Sequence, residues 1–122
     1  MSKTILVIED NKQNLYLLRF LLEKSGFSVA EASSGQQGIQ AACLLRPAAI
    51  LLDIQLPGMN GYAVAEEIRK HEALKTVPII VVTSYAMASD RERALAAGAT
   101  DYVEKPIDPD TFVERIRRYV EP

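Results

Sequence analysis

The sequence predicts an α/β fold: a doubly wound, five-stranded parallel sheet with five helices. Two observations support this prediction. Short apolar runs bounded by turn residues alternate with longer segments whose apolar residues recur at helical spacing, and the connections between them are short. Such alternation places helices on both faces of the sheet, in a three-layer sandwich. The strand order that suits a doubly wound sheet of this size is 2-1-3-4-5.

The five predicted strands are apolar runs that end at polar or turn residues. They are Ile5–Ile8, Phe27–Ala32, Ala48–Asp53, Pro78–Thr83 and Thr100–Glu104. The first, third and fourth are continuous aliphatic runs, which is typical of strands buried on both faces. The second alternates apolar and polar residues, which favours a position at the edge of the sheet.

The five predicted helices lie between and after these strands. They are Asn11–Ser25, a helix capped by Ser33 or Ser34 that runs to about Leu45, Gly61 to about His71, Tyr85–Ala97, and a last helix from Pro109. Gly26 and Gly98 follow two of them as stop signals, and Asp108 caps the last. In the second helix, Ile39, Ala42, Cys43 and Leu45 are predicted to form the inner face.

Composition excludes several classes of protein. The 122 residues fit one domain, and the formal net charge of -2 argues against a nucleic-acid footprint or a polybasic membrane anchor. Arg115, Arg117 and Arg118 form the most basic cluster, interpreted as a solvated helix face. Because Cys43 is the only cysteine, an internal disulfide is excluded and a reducing cytoplasm is expected. Cys43 itself is predicted to be a packed side chain.

Polar residues follow the strands at the edge where ligands bind in open α/β sheets. The first strand is followed by Glu9 and Asp10, the third ends in Asp53, the fourth ends at Thr83 and Ser84, and the fifth precedes Lys105. Because the switch point of this strand order lies between strands 1 and 3, the three acids at the ends of these strands are expected to converge. Alone, Asp53 would be interpreted as a solvated strand end, but together these placements indicate a site.

The residue types at this edge suggest phosphoryl chemistry. Three neighbouring carboxylates repel one another, and a hard cation with oxygen ligands, Mg²⁺, relieves that repulsion. A lysine can hold a phosphoryl oxygen, and a threonine hydroxyl supplies a directed donor. The sole histidine, His71, lies at a predicted helix end, so no Ser/His/Asp or Cys/His arrangement is expected. The sequence therefore predicts a carboxylate nucleophile that forms an aspartyl phosphate.

Four motifs, in order and at these spacings, resemble the response-regulator receiver domain of two-component signalling. They are VIEDN (Val7–Asn11), LLDIQLPGMNG (Leu51–Gly61), VVTSYA (Val81–Ala86) and DYVEKPID (Asp101–Asp108). The resemblance covers essentially the whole chain and is strongest to stand-alone, single-domain response regulators. It implies a CheY-like, flavodoxin-like sandwich, one receiver domain over residues 1–122, and no output domain.

The resemblance implies a role for each site residue. Asp53 is the expected phosphoacceptor, and a histidine kinase or histidine phosphotransfer protein is the expected donor. Asp10, Asp53 and the backbone carbonyl of Gln55 are expected to bind Mg²⁺ directly, with Glu9 acting through a metal-bound water. The phosphoryl group is expected to contact Thr83, the Ser84 backbone and Lys105.

A switch and an output surface are also implied by the resemblance. The Lys105–Pro106 peptide bond is expected to be cis. Thr83 is expected to move toward the phosphoryl group while Tyr102 turns inward, which changes the face formed by the fourth helix, fifth strand and fifth helix. A downstream protein would bind that face. Whether phosphorylation also drives formation of a homodimer stays open.

Three alternatives differ from this interpretation. The chain could be a receiver excised from a hybrid histidine kinase or a larger response regulator. It could be an aspartyl-phosphate phosphatase, because those enzymes resemble this chemistry. They usually need a second acid two residues after the nucleophile, however, and this chain has Gln55 at that position. It could be a receiver that works without phosphorylation, against which the intact acids and Lys105 argue. We therefore expect no separate substrate turnover.

Overall fold

The strands form one parallel sheet in the predicted order. The structure is a computed structural model, and it describes residues 3–56, 58–84 and 88–121. The strands are β1 (Thr4–Ile8), β2 (Ser28–Ala32), β3 (Ala49–Leu52), β4 (Ile79–Thr83) and β5 (Asp101–Glu104). Their order is β2-β1-β3-β4-β5, and each neighbouring pair is parallel. The predicted topology is confirmed, with β2 and β5 at the edges.

Helices alternate with the strands as predicted. They are α1 (Lys12–Lys24), α2 (Gly35–Leu45), α3 (Gly61–Arg69), α4 (Ala88–Ala96) and α5 (Pro109–Val120), with a 3-10 turn at Glu72–Leu74. The side chains of Asn11, Ser34, Asn60 and Asp108 accept backbone amide hydrogen bonds and begin α1, α2, α3 and α5. The predicted start of the fourth helix at Tyr85 lies outside the described residues. None of the described helices is both long and apolar enough to cross a membrane.

The core lies on both faces of the sheet, because successive strand residues point to opposite sides. On one face, Leu6, Ile8 and Ile50 belong to a buried cluster with residues of α2, α3 and α4. On the other face, Ile5 and Val7 belong to a cluster with residues of α1 and α5. This arrangement is the predicted three-layer sandwich.

Two predictions about α2 were wrong: Cys43 is exposed rather than packed, and Leu45 is 46% exposed. The buried residues of α2 are Gly35, Gly38 and Ala42. A Cβ atom at Gly38 would lie 2.5 Å from Ile8 Cδ1, so α2 lies close against β1. The predicted inner residues Ala42 and Ile39 do face the core, Ala42 as a buried residue and Ile39 packed against the cluster. The apolar pattern missed only the two glycines of this face, because they have no apolar side chain to count.

The basic cluster of α5 is not simply a solvated face. Arg115 binds the carboxylate of Asp101 through two nitrogens, and Arg117 Nη2 donates to the Ser25 carbonyl at 3.0 Å. Arg118 is exposed, as predicted. The sequence pattern did not reveal that two of the three arginines have buried or backbone acceptors in other elements.

Candidate functional site

Strands β1 and β3 bring three acids together at their carboxyl ends. Ile8 is paired with Leu52 in the sheet, so the residues that follow each strand are neighbours. The Asp53 amide donates to the Ile8 carbonyl at 3.1 Å and the Glu9 amide donates to the Ala32 carbonyl at 2.9 Å. Carboxylate oxygens of Glu9, Asp10 and Asp53 all lie within 4.8 Å of one another. The expected convergence is therefore present.

Lys105 reaches this acidic cluster from the end of β5. Its Nζ lies 3.1 Å from Glu9 Oε1 and 3.4 Å from Asp53 Oδ2. Its backbone amide donates to the Thr83 carbonyl at 2.8 Å, which aligns the ends of β4 and β5. The peptide bond from Lys105 to Pro106 is cis. Lys105, which is distant from these acids in the sequence, thus contacts two of the three.

Burial gives these acids unequal environments. Glu9 is 2% exposed and Asp53 is 6% exposed, whereas Asp10 is exposed. Burial raises the pKa of Glu9, and the adjacent Asp53 carboxyl raises it further, against the opposing effects of the Asn11 amide and Lys105. One lysine therefore does not neutralise the cluster. A cluster of close, all-oxygen, under-neutralised ligands fits a hard divalent cation such as Mg²⁺.

Hydrogen bonds at the two ends of the loop after Asp53 hold it next to the site. The Gln55 amide donates to Asp53 Oδ1 at 3.0 Å, which fixes one carboxylate oxygen. The Gly61 amide donates to the Ile54 carbonyl at 2.9 Å, so the start of α3 closes on the chain beside Asp53. A Cβ atom at Gly61 would lie 2.5 Å from Ile54 Cα, and backbone cannot move aside as a flexible side chain can. The closed loop therefore requires glycine at position 61.

The predicted phosphoryl-binding and switch residues lie around the same edge. Thr83 is fully buried at the end of β4. Ser84 is exposed and lines a groove of about 370 Å³ with Lys105 and Pro106. Tyr102 is 7% exposed and belongs to the cluster on the α3 and α4 side of the sheet. The Tyr102 side chain is therefore already buried in this structure, before any inward turn.

Sequence reasoning missed a second buried carboxylate, Asp101 of β5, which is held by residues of α5. Asp101 accepts hydrogen bonds from Arg115 Nη2 at 2.8 Å, from the Tyr119 hydroxyl at 2.9 Å and from the Tyr102 amide at 2.7 Å. The sequence predicts Asp101 only as a residue of the fifth strand and as the start of the DYVEKPID motif. The available signal was an acid inside that strand and an arginine on the following helix, but no local pattern pairs the two.

Comparison with known proteins places the chain among signalling proteins. The sequence matches the response regulator receiver domain family over residues 5–117. It is 38% identical over 120 residues to the polar-differentiation response regulator DivK of Brucella ovis, and the match covers 98% of each chain. This relative is of the stand-alone type that the sequence resembles.

Solved structures give the same result. The receiver domain of a sensor histidine kinase from Pseudomonas aeruginosa PAO1, with a magnesium ion coordinated in its active site cleft, has a TM-score of 0.93 and 34% identity, covering 100% of both chains. A CheY-like response regulator receiver domain protein from Methanospirillum hungatei has a TM-score of 0.91 and 29% identity, covering 99% of this chain and 95% of that one. From its sequence, its topology and these likenesses, the chain belongs to the response regulator receiver domain family of two-component signalling.

Proposed function

We propose that Asp53 accepts a phosphoryl group from the phosphohistidine of a histidine kinase or a histidine phosphotransfer protein. A carboxylate oxygen of Asp53 attacks phosphorus, the P–N bond breaks, and the histidine nitrogen keeps the electron pair. The observation that carries this proposal is the position of Asp53: it is nearly buried, with Lys105 Nζ at 3.4 Å from Oδ2 and the oxygens of two further acids nearby. Lysine and a divalent cation would together balance the charge of the transferred group.

The same acids would hold Mg²⁺. Asp10, Asp53 and the Gln55 carbonyl would be direct ligands, and Glu9 would act through a metal-bound water. The magnesium ion in the cleft of the Pseudomonas receiver domain supports this assignment. When bound, the cation supplies positive charge that offsets the phosphoryl oxygens. The residues of this chain orient the acceptor, because the Gln55 amide holds Asp53 Oδ1 and leaves Oδ2 toward Lys105.

Three residues would contact the phosphoryl oxygens. Lys105 would pair with one as a point charge, and the Thr83 hydroxyl and Ser84 amide would donate to others. Thr83 and Lys105 are already coupled, since the Lys105 amide donates to the Thr83 carbonyl. A shift of Thr83 toward the phosphoryl group, with rearrangement around Tyr102, would bias two pre-existing states of the face formed by α4, β5 and α5.

The module would signal by protein–protein contact rather than by turnover of a separate substrate. We propose that residues 1–122 act as one receiver domain in the cytoplasm, and that a downstream protein binds the α4–β5–α5 face. The match along 98% of the response regulator DivK supports the assignment of this segment as a receiver. Gln55, two residues after Asp53, supplies no carboxyl group for the general-acid role of a phosphatase.

The experiment is intact-mass spectrometry after incubation with acetyl phosphate, with and without Mg²⁺. We expect wild-type protein to gain one phosphoryl group only with Mg²⁺, and Asp53→Asn to gain none. Asp110→Asn is the matched control, because Asp110 is exposed in the first turn of α5 and should not alter the gain.

Two results would contradict the proposal. Phosphorylation of Asp53→Asn to the wild-type level would show that another residue is the acceptor. If no phosphorylation occurs with acetyl phosphate, and none with a phosphorylated histidine phosphotransfer protein, the receiver is inactive as a phosphoacceptor.

A further inference from the structure

The described part of helix α4 buries few of its residues against the rest of the fold. Of its residues Ala88–Ala96, only Ala94 is buried, and Leu95 is 41% exposed. By contrast, α3 is of the same length and buries five residues. A helix with so little buried surface opens at low free-energy cost, so contacts other than packing can determine its position.

Tyr62 supplies such contacts from the first turn of α3. Its side chain is 7% exposed, and the Arg93 guanidinium carbon lies 4.2 Å from the centre of its ring. Its hydroxyl lies 3.5 Å from the Asp90 carbonyl, the limit of a hydrogen bond. Tyr62 therefore contacts two successive turns of α4, and the cation–π contact with Arg93 is the stronger of the two.

This contact is connected to the acidic site along the chain and through space. Tyr62 directly follows Gly61, which closes the loop from Asp53. Tyr62 and Arg93 also line an open cleft of about 590 Å³ with Asp10 and Gln55. The guanidinium of Arg93 thus borders the same space as a predicted metal ligand.

The expected switch residue is also a neighbour. Burial raises the pKa of Tyr102, and the negative charge of Asp90 and the proximity of Tyr62 raise it further. Tyr62, Tyr102 and Ala94 of α4 belong to the same buried cluster. A change in the position of α4 would therefore alter the packing of both tyrosines.

We propose that Tyr62 and Arg93 form a clip that holds α4 against the loop after Asp53, and that phosphorylation of Asp53 opens this clip. The inference rests on the proposed function of Asp53. Phosphorylation replaces the single charge of the Asp53 carboxylate with an acyl phosphate of charge about -2, so it adds about one negative charge. That charge lies beside Asp10, which lines the cleft together with Arg93. It attracts the guanidinium away from the ring. Without Arg93 over the ring, α4 is left with few buried contacts and becomes free to move.

Hydrogen exchange of the α4 amides, followed by mass spectrometry on the whole chain, tests the clip. An exposed cation–π contact corresponds to about a two- to fivefold change in an opening equilibrium. We expect Arg93→Gln to raise α4 exchange by about that factor in the unphosphorylated protein. Arg91→Gln is the matched control, since Arg91 is an exposed arginine of the same helix. Arg93→Lys keeps a cation and should lie between wild type and Arg93→Gln.

The second arm adds acetyl phosphate and Mg²⁺. We expect phosphorylation to raise α4 exchange in wild type and Arg91→Gln, and to add little in Arg93→Gln, where the clip is already open. Equal exchange in unphosphorylated Arg93→Gln and Arg91→Gln would overturn the clip. An equal rise on phosphorylation in wild type and Arg93→Gln would overturn its opening by phosphate. A wild-type protein that gains no phosphoryl mass would instead refute the proposed function, while the first arm still tests the clip.

Discussion

Two regions of this molecule bury carboxylates, and they differ in how far neighbouring groups compensate the negative charge. Asp101, at the start of β5, accepts hydrogen bonds from Arg115, the Tyr119 hydroxyl and the Tyr102 amide. Glu9 and Asp53 follow β1 and β3, and among the described residues Lys105 is the one cation that pairs with both. The carboxylates of Glu9, Asp53 and Asp101 are similarly buried, so the difference lies in their partners rather than in burial.

The pKa directions follow from those partners. Burial alone would raise the pKa of Asp101, but the Tyr102 amide, the Tyr119 hydroxyl and Arg115 together lower it below its ordinary value. For Glu9, burial and the neighbouring Asp53 carboxyl raise the pKa. A fully satisfied buried acid stabilises the fold, whereas an under-neutralised pair of acids is ready to bind a cation or a phosphoryl group.

The sharpest test applies the same substitution to both regions in the absence of divalent cations. Asp101→Asn should destabilise the protein by about 2 kcal/mol, because it removes charge-assisted hydrogen bonds from a partly exposed Arg115. Asp53→Asn should stabilise it by about 1 kcal/mol, because it removes the repulsion between two carboxylates while Lys105 still forms its ion pair with Glu9. Urea denaturation of wild type and both variants measures the two effects.

Asp110→Asn again serves as the control and should be near zero, since Asp110 is exposed. Equal destabilisation by Asp101→Asn and Asp53→Asn would show that the two regions do not differ in the proposed way.

A smaller effect separates the regions by their response to Mg²⁺. For a dissociation constant on the order of 1 mM, about 10 mM Mg²⁺ should stabilise the wild-type protein by about 1.4 kcal/mol. Asp101→Asn should gain the same increment, because its substitution lies outside the acidic cluster, and Asp53→Asn should gain much less. The measurement is the shift of the urea midpoint on adding Mg²⁺, and a uniform shift in all three proteins would contradict a metal site at Asp53.

The smallest effect is a difference in pH dependence. Because the fold lowers the pKa of Asp101 below 3.8, its stabilising contribution is present above that value and is lost as pH falls through the lower folded pKa. Because the fold raises the pKa of Glu9 above 4.5, metal-free wild type should lose stability relative to Glu9→Gln as pH rises through the folded pKa.

Unfolding free energies of Asp101→Asn, Glu9→Gln and wild type between about pH 6 and about pH 3 would measure both trends. Difference curves that slope in the same direction would refute the contrast.

Much of the acidic site could be predicted because its residues follow apolar strands directly. In a strand that is apolar on both faces, the first polar residue marks the end of the strand. Because the carboxyl ends of parallel strands lie at one edge of the sheet, the sequence positions alone could place Glu9, Asp10, Asp53 and Lys105 together. The site at Asp101 has no such signal. Its acid lies within a short strand, and Arg115 and Tyr119 lie on a helix whose rotation depends on packing.

Local chemistry in the sequence determined the helix caps, the turns, the alternation of strands and helices, and hence the topology. These depend on interactions between near neighbours, such as Asn11 with the Asn14 amide or Pro109 in the first turn of α5. Only the tertiary structure decided that Cys43 faces solvent, that Tyr102 is already inside and that Arg93 covers Tyr62. Those outcomes depend on how closely each helix packs against the sheet, and that distance is set by side chains from elements far apart in the chain.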